Sequence, residues 1–267
     1  MPNKKPKIAI VSLTCCEGCE FALLDLGQRF LDLAKKVDIT NFRLLRDEPK
    51  KLGHYDLCFV EGSVVTAENL EKLKKLRSVS KQLIVLGNCA QTGGVHRLKN
   101  WFGRMRALGM VYKEVKGIEN KDILPISEIV KVDFEIPTCP VNAEEFLDLI
   151  YKFLAGRKFK IKQNPVCMEC QARGYECLLQ KGEICLGPIT LGGCGAICLK
   201  SKQGCWGCRG LLEEPAVKKF ADFLLTRHPK KEVESVLEVF GIKDDWQGEA
   251  EKEWEKEKKS KALMIVD

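Results

Sequence analysis

The distribution of cysteine constrains how the second half of this chain can fold. Of the fourteen cysteines, eight lie in the stretch from Cys167 to Cys208, where glycines are frequent and apolar periodicity is weak. Their spacing divides them into two sets of four thiolates, the usual ligand number for a cubane iron–sulfur cluster. A segment with so little apolar surface is expected to be held together by bound metal.

Four further cysteines follow stretches that are typical of β-strands in the first half of the chain. They are Cys16, Cys19, Cys89 and Cys139. Loops that follow parallel strands all emerge at the carboxyl edge of a sheet, where α/β folds bind their ligands. Residues more than a hundred positions apart are therefore predicted to converge there as a third set of four.

Strand-like and helix-like patterns alternate over residues 1–156, which predicts an α/β domain. We expect strands at Lys7–Leu13, 37–45, 55–60, 82–86 and 129–136, and helices at 18–36, 67–79 and 143–155. Asn142 is a suitable N-cap for the last helix. This order is that of a flavodoxin-like, doubly wound parallel sheet.

A second, smaller and irregular domain is predicted from residue 157 to residue 267, because the pattern changes after Gly156. Helical spacing returns from Glu213 to Phe240. The stretch Glu249–Lys261 predicts a solvated helix of mixed charge that forms a helical tail.

The composition excludes several classes of protein. No apolar run is long enough to span a bilayer, and the N-terminus has no signal-peptide pattern, so we expect a cytoplasmic protein without a membrane span. The net charge of +7 comes from lysines spread along the chain, unlike the clustered pattern of a nucleic-acid-binding groove. A reducing cytoplasm disfavours disulfides, so the cysteines are interpreted as metal ligands.

The motifs around these cysteines resemble a known family, the small, electron-transferring subunits of cytoplasmic [NiFe] hydrogenases that serve soluble carriers, of the sulfhydrogenase and F420-non-reducing type. The resemblance covers nearly the whole chain. It rests on the motifs CEGCE (16–20), GNCAQTGG (87–94), TCP (138–140), CLGP (185–188) and CWGC (205–208).

The resemblance implies three [4Fe–4S] clusters, with each ligand taken over position by position. The proximal cluster, in the flavodoxin-like domain, would be bound by Cys16, Cys19, Cys89 and Cys139. The distal cluster, in the second domain, would be bound by Cys167, Cys170, Cys177 and Cys185. The medial cluster, in that same domain, would be bound by Cys194, Cys198, Cys205 and Cys208.

Two positions depart from the pattern of many relatives. Cys167 stands where many have a histidine, which implies an all-cysteine distal cluster of lower potential. Cys198 supplies a fourth medial ligand where many have three, which implies a cubane in place of a [3Fe–4S] cluster. A low-potential chain of clusters would suit a soluble acceptor.

The resemblance further implies how the work is divided between subunits. A nickel–iron site that interconverts H2 with two protons and two electrons would lie on a partner large subunit, so this chain would hold no catalytic residue. Electrons would pass from the proximal through the medial to the distal cluster, then to a further iron–sulfur or flavin subunit that uses NAD(P), ferredoxin or another soluble carrier. Glu17 and Glu20 are candidates for a proton relay, although ordinary helix N-terminal carboxylates explain them equally well.

Several alternatives stay open at the level of the sequence. Cys15 could replace Cys16 or Cys19 as a ligand, although the CEGCE pattern favours the Cys-x-x-Cys pair. Cys58 lies in an apolar strand and is interpreted as a small buried hydrophobe. Structural zinc would use only four of the eight later cysteines. The chain could also be an electron-transfer subunit of a complex-I-like or other redox complex that activates no hydrogen.

Overall fold

The computed structural model describes residues 5–45, 53–102, 104–119 and 121–248. The predicted charged helix at Glu249–Lys261 lies outside this part of the chain. Backbone contacts divide the chain into two compact units. Unit 1 comprises Met1–Ile161 and Cys208–Gly210, and unit 2 comprises Lys162–Gly207 and Leu211–Asp267.

Unit 1 is built on a five-stranded parallel sheet of order β2-β1-β3-β4-β5. The strands are β1 (Lys7–Ser12), β2 (Asp38–Phe42), β3 (Tyr55–Glu61), β4 (Ser80–Leu86) and β5 (Phe134–Ile136). The central strands read as continuous apolar runs because helices cover both faces of the sheet. The predicted α/β, flavodoxin-like strand order is confirmed.

Among the described residues of unit 1, seven α-helices lie in the connections between strands or follow the last strand. They are α1 (Gly18–Leu24), α2 (Gln28–Ala34), α3 (Ala67–Val79), α4 (Asn88–Gln91), α5 (Leu98–Phe102), α6 (Arg104–Gly109) and α7 (Ala143–Leu154). Helix α3 begins at a capping box between Thr66 and Asn69. The Asn142 side chain accepts a hydrogen bond from the Glu144 amide, so the predicted N-cap of α7 is confirmed.

The structure corrects two predicted elements. The single helix expected over 18–36 is two helices, because Gly27 interrupts it with φ 54° and ψ −120°, a conformation that ends α-helical hydrogen bonding. The strand expected over 129–136 is limited to Phe134–Ile136, and a 3-10 turn occupies Ile126–Glu128.

Two apolar layers enclose the sheet. On one face α1, α2 and α7 contribute Leu23, Phe30, Leu33, Phe146 and Ile150. On the other face α3 contributes Leu73 and Leu76. Alternate residues of the strands fill the two layers, because successive side chains of a strand point to opposite faces.

Unit 2 is less regular. Its helices are α8 (Val166–Ala172), α9 (Ile197–Lys200), α10 (Val217–Leu225) and α11 (Lys230–Glu238). Helices α10 and α11 pack on an apolar cluster that contains Leu186, Val217 and Leu237. The cysteine-rich part has a small cluster of its own, in which Cys170, Cys185 and Cys205 pack with Val166 and Leu199. Within the described residues, no helix is both long enough and apolar enough to cross a bilayer.

Candidate metal centres

Four cysteines of unit 1, those predicted to bind the proximal cluster, lie at the carboxyl edge of the sheet. Cys16 lies in the loop after β1, and Cys19 in the first turn of α1. Cys89 lies in α4, directly after β4, and Cys139 follows β5. Parallel topology thus brings residues from distant parts of the sequence to one edge.

These sulfurs influence one another electrostatically. Burial, together with the negative charges of Cys139 and Cys16, raises the pKa of the Cys89 thiol to about 12. Burial also raises the pKa of Cys139, followed by the charge of Cys16. Burial is again the main cause that raises the pKa of Cys19, with Glu61 and Cys139 adding to it. A bound metal cluster would compensate the thiolate charges and so favour loss of these protons.

Glycines keep space open beside these sulfurs. Gly87 has φ +81°, and a Cβ at this position would overlap the Cys19 sulfur. A Cβ at Gly94 would lie 3.0 Å from the Cys89 sulfur. A side chain at either position would displace the neighbouring sulfur, so glycine is what lets the backbone approach these two thiols closely.

Acidic side chains surround the first turn of α1. Glu61, at the end of β3, accepts hydrogen bonds from the amides of Cys19 at 3.2 Å and Glu20 at 3.1 Å. Glu20 is fully buried, and burial together with the Glu61 charge raises the pKa of its carboxyl to about 7. Glu17 forms an ion pair with Arg43 at 3.2 Å. The two relay candidates therefore have different environments, one buried and one paired.

A second group of cysteines converges within unit 2. Burial, together with the charges of Cys185, Cys170 and Cys177, raises the pKa of the Cys167 thiol to about 11. A Cβ at Gly187 would lie 3.2 Å from the Cys167 sulfur and 3.5 Å from the Cys185 sulfur. The Cys167 thiol is thus influenced by the other three cysteines of the predicted distal set.

A carboxylate organises the loop that carries Cys194. The Glu169 side chain, in α8, accepts hydrogen bonds from the amides of Gly193 at 2.9 Å and Gly195 at 3.0 Å, and lies 3.9 Å from the Cys194 sulfur. Burial raises the pKa of Cys198, followed by the charges of Cys194 and Cys185.

The remaining two cysteines of the predicted medial set lie in different surroundings. The Cys205 amide donates a hydrogen bond to the Cys185 sulfur at 3.2 Å. Cys208 belongs to the three-residue segment of unit 1.

Among the described residues, no three His, Cys, Asp or Glu side chains are arranged to hold a single metal ion.

Cys58 is fully buried in β3, in the apolar layer that contains Leu73 and Leu76. Its burial raises its pKa to about 12.

Reasoning from the sequence missed three charged side chains near the cysteines. Glu61 follows a buried apolar strand, Glu169 lies between two cysteines of a Cys-x-x-Cys pair, and Arg209 directly follows Cys208. A charged residue in a ligand loop is a signal for Glu169. Nothing in the sequence reveals that Arg209 is fully buried.

Comparison with known proteins identifies relatives over most of the chain. Residues 16–153, more than half of the chain, match the family described as NADH ubiquinone oxidoreductase, 20 Kd subunit. The chain is 35% identical over 237 residues to sulfhydrogenase 2 subunit delta of Pyrococcus furiosus, covering 88% of this chain and 98% of that protein. It is 30% identical over 236 residues to a vhu subunit of the F420-non-reducing hydrogenase of Methanocaldococcus jannaschii, covering 76% of this chain and 81% of that protein.

Solved structures agree with this relationship. A chain of an NAD+-reducing [NiFe]-hydrogenase in the H2-reduced state matches with a TM-score of 0.55 and 31% identity, covering 60% of this chain and 96% of that one. A chain of the [NiFeSe] hydrogenase of Desulfovibrio vulgaris Hildenborough has the same fold, with a TM-score of 0.51 and 17% identity, covering 78% of this chain and 94% of that one. The chain therefore belongs to the family of the 20-kDa subunit of NADH:ubiquinone oxidoreductase and is a hydrogenase subunit of the [NiFe] small-subunit type.

Proposed function

We propose that this chain conducts electrons between the nickel–iron site of a partner large subunit and a subunit that serves a soluble acceptor. The observation that carries the proposal is the convergence of Cys16, Cys19, Cys89 and Cys139 at the carboxyl edge of the sheet, where their charges act on one another. Iron–sulfur clusters bound by such thiolates supply one-electron transfer.

The proposed ligands form three sets of four. The proximal set is Cys16, Cys19, Cys89 and Cys139, the distal set is Cys167, Cys170, Cys177 and Cys185, and the medial set is Cys194, Cys198, Cys205 and Cys208. The charge of Cys16 raises the pKa of both Cys89 and Cys139, which favours Cys16 over Cys15 as a ligand. The mutual influence of the four distal cysteines supports the second set.

The protein's own residues prepare these sites. Glu61 satisfies two amides of the first turn of α1 and so orients the backbone that carries Cys19. Glu169 does the same for the loop of Cys194. The glycines at 87, 94 and 187 leave room beside the sulfurs. Buried Glu20 is the better placed of the two relay candidates, because Glu17 already pairs with Arg43.

The partners follow from the relatives. Two relatives are named as sulfhydrogenase and F420-non-reducing hydrogenase subunits, and a matching structure is that of an NAD+-reducing enzyme. We infer a large subunit with nickel and iron, and a further iron–sulfur or flavin subunit that uses NAD(P), ferredoxin or another soluble carrier. Reduced thiols in such number fit a cytoplasmic location.

A second candidate function has support from the family match. The matching family takes its description from the 20-kDa subunit of NADH ubiquinone oxidoreductase, so an electron-transfer subunit of a complex-I-like assembly that activates no hydrogen is the alternative to test. Nickel in the purified complex separates the two functions, because only the hydrogenase requires it.

A pair of cysteine variants tests the proposal in the natively purified complex. Cys89→Ser removes a proposed proximal ligand and should abolish H2-dependent reduction of methyl viologen. Cys58→Ala removes a cysteine that is buried in an apolar layer and should leave both the iron content and this activity intact. Wild-type turnover in Cys89→Ser would refute the proximal assignment, as would equal losses in both variants.

A further inference from the structure

Arg209 is an unusual residue of unit 1 because it is a charged side chain fully withdrawn from solvent. Arginine is almost never fully buried unless it is paired. Of the fully buried side chains in the described part of the chain, it is the largest. Arg209 directly follows Cys208, a proposed cluster ligand, and the proposed function does not yet explain why it is buried there.

The guanidinium group binds two partners at once. One terminal nitrogen donates to the Thr138 hydroxyl at 2.5 Å and to Glu145 Oε2 at 3.1 Å. The other donates to Glu145 Oε1 at 2.7 Å. The planar fork of arginine matches the two oxygens of a carboxylate, a geometry that lysine cannot reproduce. This arrangement fixes the guanidinium in orientation as well as in position.

Both ends of this contact adjoin proposed ligands. Arg209 directly follows Cys208, and Thr138 directly precedes Cys139. The next residue, Gly210, lies against Gln91 of α4, where an added Cβ would stand 3.2 Å from the amide nitrogen of the glutamine side chain. The segment 208–210 is thus attached to the loop after β5 and to the helix that carries Cys89.

The backbone at Thr138 supports a functional role for this contact. Thr138 has φ +104°, a conformation that is a genuine outlier for a β-branched residue. Such strain persists only where surrounding contacts hold it, and it concentrates at functional sites. The hydrogen bond from Arg209 is one of those contacts.

We propose that Arg209 is a positioning residue that fixes Cys208 relative to Cys139 and thereby sets the rate of electron transfer between the clusters that these two cysteines bind. This inference rests on the proposed function. One connection between the two cysteines runs from Cys208 along the Arg209 side chain and through its hydrogen bond to the Thr138 hydroxyl, which adjoins Cys139. Because electron tunnelling weakens steeply with distance, loss of this contact slows transfer even when both clusters remain bound.

The test compares two activities in the same anaerobic preparation of the whole complex. H2–D2O isotope exchange requires hydrogen activation alone, whereas H2-dependent reduction of methyl viologen also requires electrons to leave through this chain. Arg209→Lys keeps the charge but loses the fork, and Thr138→Val keeps the shape but loses the hydroxyl. Both should lower the ratio of viologen reduction to exchange, since transfer between the two clusters slows as the distance between them grows. Iron content should remain at the wild-type level.

Two matched variants serve as controls. Arg29→Lys changes an exposed arginine that pairs with Glu144, the neighbour of Glu145 on α7, and should leave the ratio unchanged. Thr138→Ser retains the hydroxyl and should restore most of the ratio that Thr138→Val loses.

An unchanged ratio in Arg209→Lys and Thr138→Val, with full iron, would overturn the inference. If Arg209→Lys loses iron, the inference is tested by comparing Thr138→Val with Thr138→Ser. Equal ratios of viologen reduction to exchange in these two variants would also overturn it. A wild-type complex without iron or nickel would refute the proposed hydrogenase function itself, before any variant is compared.

Discussion

Replacing Gly87 by alanine tests the proximal site through the backbone that surrounds it. Gly87 joins β4 to α4 with φ 81° and ψ 167°, a region that is essentially restricted to glycine. Alanine there costs about 1–3 kcal/mol of backbone strain. Its Cβ would also overlap the Cys19 sulfur, so the sulfur must move away from its position.

Gly27 provides the matched control. Its φ of 54° and ψ of −120° are also unfavourable for alanine, so Gly27→Ala has a similar cost of about 1–3 kcal/mol. An added Cβ at this glycine meets no atom within 4 Å. The two variants therefore share the strain and differ in the displacement of a proposed ligand.

The assay is iron and acid-labile sulfide per chain, with the thermal midpoint of the complex measured alongside. Both variants should lower the midpoint by a few degrees, since about 1 kcal/mol shifts it by roughly 2–4 °C in domains of this size. Gly87→Ala should also lose about four irons, the content of one cubane, whereas Gly27→Ala should lose none. Full iron in Gly87→Ala would refute the reasoning, and iron loss in Gly27→Ala would attribute the effect to strain alone.

Three further predictions concern individual side chains. Cys167→His should keep a cluster but raise its reduction potential in an EPR-monitored titration, and an unchanged potential would remove Cys167 from the ligands. Glu169→Ala should leave the Gly193 and Gly195 amides without their acceptor and lower the iron content by about four, whereas Glu169→Gln should preserve it; equal iron in both variants would contradict this role. The pKa of Glu20 rises from 4.5 to about 7 on folding, so between these values the folded state keeps a proton that the unfolded state has lost, and stability falls as pH rises through this window. Glu20→Gln should therefore show a smaller loss of thermal midpoint than the wild type between about pH 5 and pH 7.5, and parallel profiles would exclude the effect.

Much of the first unit could be predicted because its signals are local. Apolar runs identified β1, β3 and β4, and the side chain of Asn142 identified the start of α7. The break at Gly27 escaped prediction because apolar residues continue at helical spacing on both sides of it. The short β5 escaped because apolar residues before it pack beside the sheet without joining it.

The candidate site also combines features that the sequence predicts with features that it does not. Topology alone predicted that cysteines after β1, β4 and β5 meet at one edge, since every parallel strand ends there. The roles of Glu61 and Arg209 depend on partners 42 and 64 residues away, and no local pattern encodes such pairs. Arg209 illustrates the point well, because a single arginine after a Cys-x-x-Cys pair reads as a surface residue until Glu145 and Thr138 are seen around it.

The most direct test of the proposed electron-transfer function is the metal content of the anaerobic, natively purified complex, expressed per copy of this chain. We expect about twelve iron and twelve acid-labile sulfide from this chain, with nickel contributed by a partner. Zinc with little iron would contradict the electron-transfer function, and iron without nickel would assign the chain to a redox complex that activates no hydrogen.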